Sequence, residues 1–282
     1  DAKGSENESG EDEDAVITVA TASSAVKAPE IAAYALPNTV PTYTVTCEKA
    51  HNHPFSVAAI SGENLDSICL YDAGEDAFDQ VITNCKENYN SRGEINLVLN
   101  SPSSAGTEYT FNINENCIIN LSGNYTLANA TLFTIAADNI NVTINNSADI
   151  NTSYVYEYEG NSDYQDTSKV TFTNVDGNAI NAGIVIGKND KVDLKNADVE
   201  SLTIYSDYTM NDGTVKGSVS IKNGASFTLQ SGTVDGGISG TWDETSSFVM
   251  NGGTVNGTVW SVENVTINDG TITHIMDKDD YC

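Results

Sequence analysis

From residue 142 to residue 275 the chain runs in short stretches where apolar and polar positions alternate, each stretch closed by a turn-forming step. Aligned on the closing residue, the stretches are VTINNS (142–147), VTFTNV (170–175), VDLKNA (192–197), YTMNDG (208–213), FTLQSG (227–232), FVMNGG (248–253) and VTINDG (265–270). The anchors Ser147, Val175, Ala197, Gly213, Gly232, Gly253 and Gly270 fall 28, 22, 16, 19, 21 and 17 residues apart. Five positions before the anchor every copy has Val, Tyr or Phe, and three before it every copy has Ile, Phe, Leu or Met. Two positions after it, five of the seven copies have Val or Ile. Alternation with a period of two predicts strands with one buried face. The Asn/Asp/Ser-Gly step predicts a turn, because those residues accept a positive φ. A unit near twenty residues long cannot bury its own apolar side, so it has to stack on its neighbours. The repeat is a stacking instruction.

Upstream the period changes. In GEDAFDQVITNCKENYNSRG (74–93) the apolar residues Ala77, Phe78, Val81, Ile82 and Cys85 have helical spacing, with acids at the start and Gly93 at the end. This predicts one amphipathic helix over 75–90. It leads into EINLVLN (94–100) and then GTEYTFNINENCIINLSG (106–123), which read as further strands. Helix, strand, short turn and stacked rungs in that order resemble the entry of right-handed parallel β-helices of the pectin-lyase-like group, over roughly residues 70–276. The resemblance implies that the helix covers the open first coil. The fold expected is all-β, a right-handed parallel β-helix of roughly eight to ten coils with an N-terminal capping helix and an extended N-terminal arm. Three regions follow: an acidic tail and β-prone arm at 1–41, a cap with short strands and the helix at 42–92, and the β-helix at 93–282.

Members of that group include enzymes that cleave pectin and other polysaccharides, so the resemblance raises a lyase or hydrolase. Such elimination needs an Arg or Lys base beside Ca2+, and such hydrolysis needs clustered Asp with GHG and RIK segments. The chain has neither segment, and its one arginine, Arg92, lies at the end of the predicted helix. Asp212 with Asp235 could be imagined as an acid–base pair, but an Asp in a turn is ordinarily a turn residue. The resemblance is therefore to adhesin-like rather than enzymatic members.

Charge narrows the partners. Forty acids against twelve bases give a net charge of −28, which repels nucleic acids and anionic polysaccharides. The longest apolar runs are only a few residues, so no membrane insertion is expected. The chain opens at Asp1 with neither an initiator Met nor a leader, as a mature exported protein would. An extracellular or cell-surface location is expected.

Five cysteines, Cys47, Cys69, Cys85, Cys117 and Cys282, are disulfide candidates, read as two pairs and one odd thiol with the pairing open. CEKAHNH (47–53) brings Cys47, His51 and His53 together as metal candidates, with no fourth ligand nearby. The acidic runs YDAGEDAFD (71–79) and MDKDDYC (276–282) leave weak Ca2+ binding open, and no other cofactor is expected. Of nine NxS/T sequons, Asn120, Asn124, Asn129, Asn151 and Asn256 are the glycosylation candidates, while burial is expected to exclude Asn145 and Asn264. The column Asn145, Asn211, Gln230, Asn251 and Asn268 is expected to stack as an amide ladder. Tyr154, Tyr156, Tyr158 and Tyr164 could form a sugar-stacking platform in an inserted loop.

The segment AVITVATASSAV (15–26) is small, uncharged and β-prone, with Val16, Ile17, Val19, Ala20 and Val26 as its apolar positions. Such a segment pairs with a sheet edge, on its own subunit or on a neighbour. The neighbour version threads copies head to tail into a fibre. The function expected is a non-enzymatic structural or adhesive surface protein, whose partners are copies of itself or a surface glycan or protein. The alternative is a carbohydrate-active enzyme or glycan-binding module on the lateral face.

Overall fold

The computed structural model of the chain describes residues 38–47, 66–69, 77–100, 110–126, 130–159, 168–175, 177–241 and 244–276. The chain divides after Ala35, and the unit beginning at Leu36 is the one described below. The arm residues Val16, Ile17, Val19, Ala20 and Val26 lie outside the described residues, as do His51, His53, Asn129, Tyr164 and Cys282.

The described unit is a parallel β-solenoid of about seven turns with a single helix. On one face, Glu94–Leu99 pairs in parallel with Cys117–Thr126, which pairs with Asn141–Asn146 and, through it, with Lys169–Asn174 and Lys191–Asp193. A second face runs from Phe111–Ile113 through Thr131–Ile135, Asp149–Tyr158, Ile180–Ile186 and Asp198–Ile204. It continues through short strands to Thr254–Trp260 and Thr271–Ile275. A separate four-stranded sheet stacks Tyr208–Met210, Ser226–Leu229, Ser247–Met250 and Asn264–Ile267.

Alternation places every second side chain inside, and in-register pairing turns those side chains into columns. Ile95, Ile119, Ile144 and Phe172 are successive register partners, and all four are buried. Phe227 lies over Phe248, and Phe248 over Val265, as the repeat requires. One register departs from the repeat: Val192 pairs with Phe172, not Val170. The turn after Asp193 takes its positive φ at Lys195 (48°) and Asn196 (59°), whereas later copies take it one position on, at the glycine anchor. That turn has its own length, so an alignment anchored on it slips by one strand period.

Stacked turns approach closely. Gly213, Gly232 and Gly253 all have positive φ, and a Cβ on Gly232 would lie 2.6 Å from the Gly213 carbonyl oxygen. Both the conformation and the approach require glycine there.

The helix spans Ala77–Asn88. Phe78, Val81, Ile82 and Cys85 are buried beneath it, and the Phe78 ring sits 5.0 Å from that of Phe111, centroid to centroid. Its outer side is fastened by Lys86, whose Nζ meets Glu115 Oε2 at 2.5 Å, and by Asp79, which accepts from the Asn114 backbone N–H at 3.0 Å. One end of the core is thereby covered. Among the described residues, no helix is long and apolar enough to cross a membrane.

Candidate functional site

At the other end, no coil or helix among the described residues covers the last rung. Four inward columns run down the last coils, and each is dry until its final member. Met210, Leu229 and Met250 are buried, whereas Ile267, the partner of Met250, is 44% exposed. Val219, Ile238 and Val259 are buried, whereas Ile275, the partner of Val259, is 43% exposed. Val265 and Ile272 end the columns of Phe248 and Val255 half-buried. These side chains follow the same pattern as the core; they are exposed only because no described coil follows them. Asn264–Ile267 and Thr271–Ile275 are also edge strands, the natural place for one more parallel strand to add.

A second feature is lateral. The ladder that ends at Lys191–Asp193 does not continue into Tyr208–Met210, which opens the separate sheet. At this break lies a groove of about 320 Å³ lined by Asp193, Lys195, Asn196, Tyr208 and Asp212 among others. Lys195 Nζ and Asp193 Oδ2 pair at 2.9 Å across its wall. The left-handed backbone at Lys195 and Asn196 is stored strain of the kind that gathers at binding sites.

A third cluster is buried and was not anticipated. The Asp190 carboxylate accepts from Tyr156 Oη at 3.1 Å, Tyr158 Oη at 2.5 Å, Val170 N at 2.8 Å and Gly187 N at 2.8 Å. Burial raises its carboxyl above the ordinary range, against the pull of those four donors. With all four donors in place, the group ties successive coils together. Its signal in the sequence was the i, i+2 spacing of Tyr156 and Tyr158, which puts two phenols on one strand face; once that face is buried they need an acceptor. The same geometry removes the proposed tyrosine platform: Tyr156 and Tyr158 point inward, leaving Tyr154 half-buried beside them.

The other candidates fall as follows. Cys85 and Cys117 are buried free thiols, not members of a disulfide; Cys85 donates from Sγ to the Glu94 carbonyl at 3.1 Å. Burial pushes the Cys85 thiol up to about 11 and the Cys117 thiol up to about 12. Cys47 and Cys69 are register partners in neighbouring strands. Asp212 and Asp235 each have a turn partner, the Gly213 N–H and the Asn256 amide, on opposite sides of the Thr–Val column. Arg92 pairs with Glu94. Among the described residues, no group of three or more His, Cys, Asp or Glu stands together to hold a metal ion.

Amide ladders are present, partly where expected. Asn268 donates to Asn251 at 2.7 Å, and a longer run links Asn145 to Asn120 at 2.8 Å and Asn120 to Asn96 at 3.1 Å. Asn145 and Asn264 are exposed, against the expectation of burial, because both lie on outward strand positions. Asn124, Asn151 and Asn256 are exposed, and Asn120 is half-buried within its ladder.

No family model matches the chain, and no curated protein or solved structure matches it. The likeness to pectin-lyase-like and adhesin-like proteins therefore extends to the stacked parallel coil and no further.

Proposed function

We propose that this chain is a non-enzymatic structural or adhesive protein of the cell surface or extracellular space, and that its open last coil is a joining surface. In this reading the arm residues Val16, Ile17, Val19, Ala20 and Val26 of a neighbouring copy add a strand along Asn264–Ile267 and Thr271–Ile275, so that copies thread into a fibre. One observation carries the reading. The core is covered by the helix at one end, and among the described residues nothing covers the other, where Ile267 and Ile275 are exposed in mid-pattern. An uncharged donor is also the kind a chain of net charge −28 can accept.

Sedimentation and negative-stain microscopy test it. The full chain is expected to form concentration-dependent polymers that are lost both on deleting residues 1–30 and in the variant Ile267→Asp/Ile275→Asp. A full chain that stays monomeric at high concentration, or polymers that survive both changes, overturns the proposal.

The groove at the sheet break favours a second reading, a glycan-binding module or carbohydrate-active enzyme. Its carboxylates, amide and phenol suit an uncharged saccharide. Turnover of a polysaccharide in a reducing-sugar or unsaturated-product assay, with or without Ca2+, would replace the non-enzymatic reading.

A further inference from the structure

The outermost strand of the N-terminal cap carries a feature that neither the core nor the joining surface uses. Thr42–Cys47 pairs in parallel with Asp66–Cys69, and the register advances one for one through Tyr43 with Asp66, Thr44 with Ser67 and Val45 with Ile68. It then shifts: the next pair is Cys47 with Cys69, with Thr46 left over as a bulge. Without that extra residue Cys69 would face Thr46, and the two cysteines would be one step out of phase, which in a strand reverses the face.

We propose that Cys47 and Cys69 form a disulfide that fastens the outer strand to the sheet. Neighbouring parallel strands lie about 4.8 Å apart, inside the Cα separation of about 4.4–6.8 Å that a disulfide spans. Asp66–Cys69 has four residues and, among the described strands, a single pairing partner. So few ladder hydrogen bonds hold it weakly, and a covalent link closing the loop between positions 47 and 69 would remove much of its freedom to detach. Among the described residues the other two thiols, Cys85 and Cys117, are buried and unpaired, so they do not compete.

The oxidant is a small organic disulfide such as oxidised glutathione. One cysteine thiolate attacks a sulfur of the oxidant, forming a mixed disulfide and releasing one glutathione thiolate. The second cysteine thiolate then attacks the protein sulfur of that mixed disulfide and releases the other glutathione. Two protein thiols lose two electrons and two protons, and one small disulfide becomes two thiols. The inference is independent of fibre assembly.

The full chain is equilibrated with oxidised glutathione, its free thiols are capped with N-ethylmaleimide after unfolding, and tryptic peptides are mapped without reduction. Trypsin cuts after Lys49 and a second digestion with a glutamyl endopeptidase cuts after Glu75, so Cys47, Cys69 and Cys85 fall on separate peptides. The expected product joins the Cys47 peptide to the Cys69 peptide, with Cys85 and Cys117 capped. Caps on both Cys47 and Cys69, retained glutathione, or linkage of either to a third cysteine overturns the proposal. Reduction is expected to lower the Tm of the wild type by roughly 5–10 °C and to leave Cys69→Ser unchanged. Equal Tm values for oxidised and reduced wild type overturn the fastening role. If Cys69→Ser does not fold, the peptide map still decides.

Discussion

Phe248 stacks on Phe227 with ring centroids 5.7 Å apart and planes 14° from parallel, and Tyr208 continues the stack 6.4 Å beyond Phe227. Three coils contribute one ring each to one column. Truncating the central member of such a stack leaves a void that rigid neighbours cannot close. Phe227→Ala is expected to cost about 3–5 kcal/mol by urea unfolding. A cost under about 1 kcal/mol would mean the column does not bear on stability.

The turn glycines make a sharper comparison. Gly253 has φ 82°, and a Cβ there would lie 2.6 Å from the Gly232 carbonyl oxygen; Gly177 has φ 80° with nothing within 4 Å. Gly177→Ala bears only the conformational cost of about 1–2 kcal/mol. Gly253→Ala bears that cost and a backbone clash, so it should destabilise by at least about 1 kcal/mol more. Equal losses in thermal unfolding would show that the stacked turns can spread apart freely.

Burial holds the Cys117 thiol near 12 and the Cys85 thiol near 11, both above the ordinary 9.0. The folded state therefore keeps its protons more tightly than the unfolded chain. The stability contributed by these thiols is full below pH 9 and falls as pH rises towards 11 and 12. In native protein at pH 8.5 neither cysteine is expected to react with iodoacetamide on the time scale of the unfolded chain. Rapid labelling without unfolding contradicts this.

Asp190 titrates in the same sense. Its carboxyl is raised from 3.8 by burial, so its contribution is complete below that value and declines as pH rises through the raised one. Asp190→Asn deprives four donors of a carboxylate and should cost about 1–3 kcal/mol. The loss should be largest in mildly acidic buffer and smaller at neutral pH. A loss that grows with pH would reverse the assignment.

The repeat showed the stacking of Phe227, Phe248 and Val265 because glycine turns of similar length hold those coils in phase. Between Val170 and Val192 the same inference slipped, since the turn through Lys195 and Asn196 uses left-handed non-glycine residues that mark no period. The helix was legible from its apolar spacing. Tyr156 and Tyr158 were read as surface aromatics because sequence alone does not say which strand face is inside. Cys47 and Cys69 could not be matched from spacing, since a one-residue bulge fixes their phase. The exposure of Ile267 and Ile275 was invisible for a simpler reason: they have the same pattern as their buried counterparts. Only the position of the last coil distinguishes them.

Phe227 and Phe248 are aligned at a separation of 21 residues, and each rung contacts only the rungs above and below it. A tandem copy of residues 227–247 would therefore insert one more layer and leave every other layer with its former neighbours. Length in such a molecule is a heritable dial: it can be turned by duplication or loss of one short stretch of gene, without redesigning the rest.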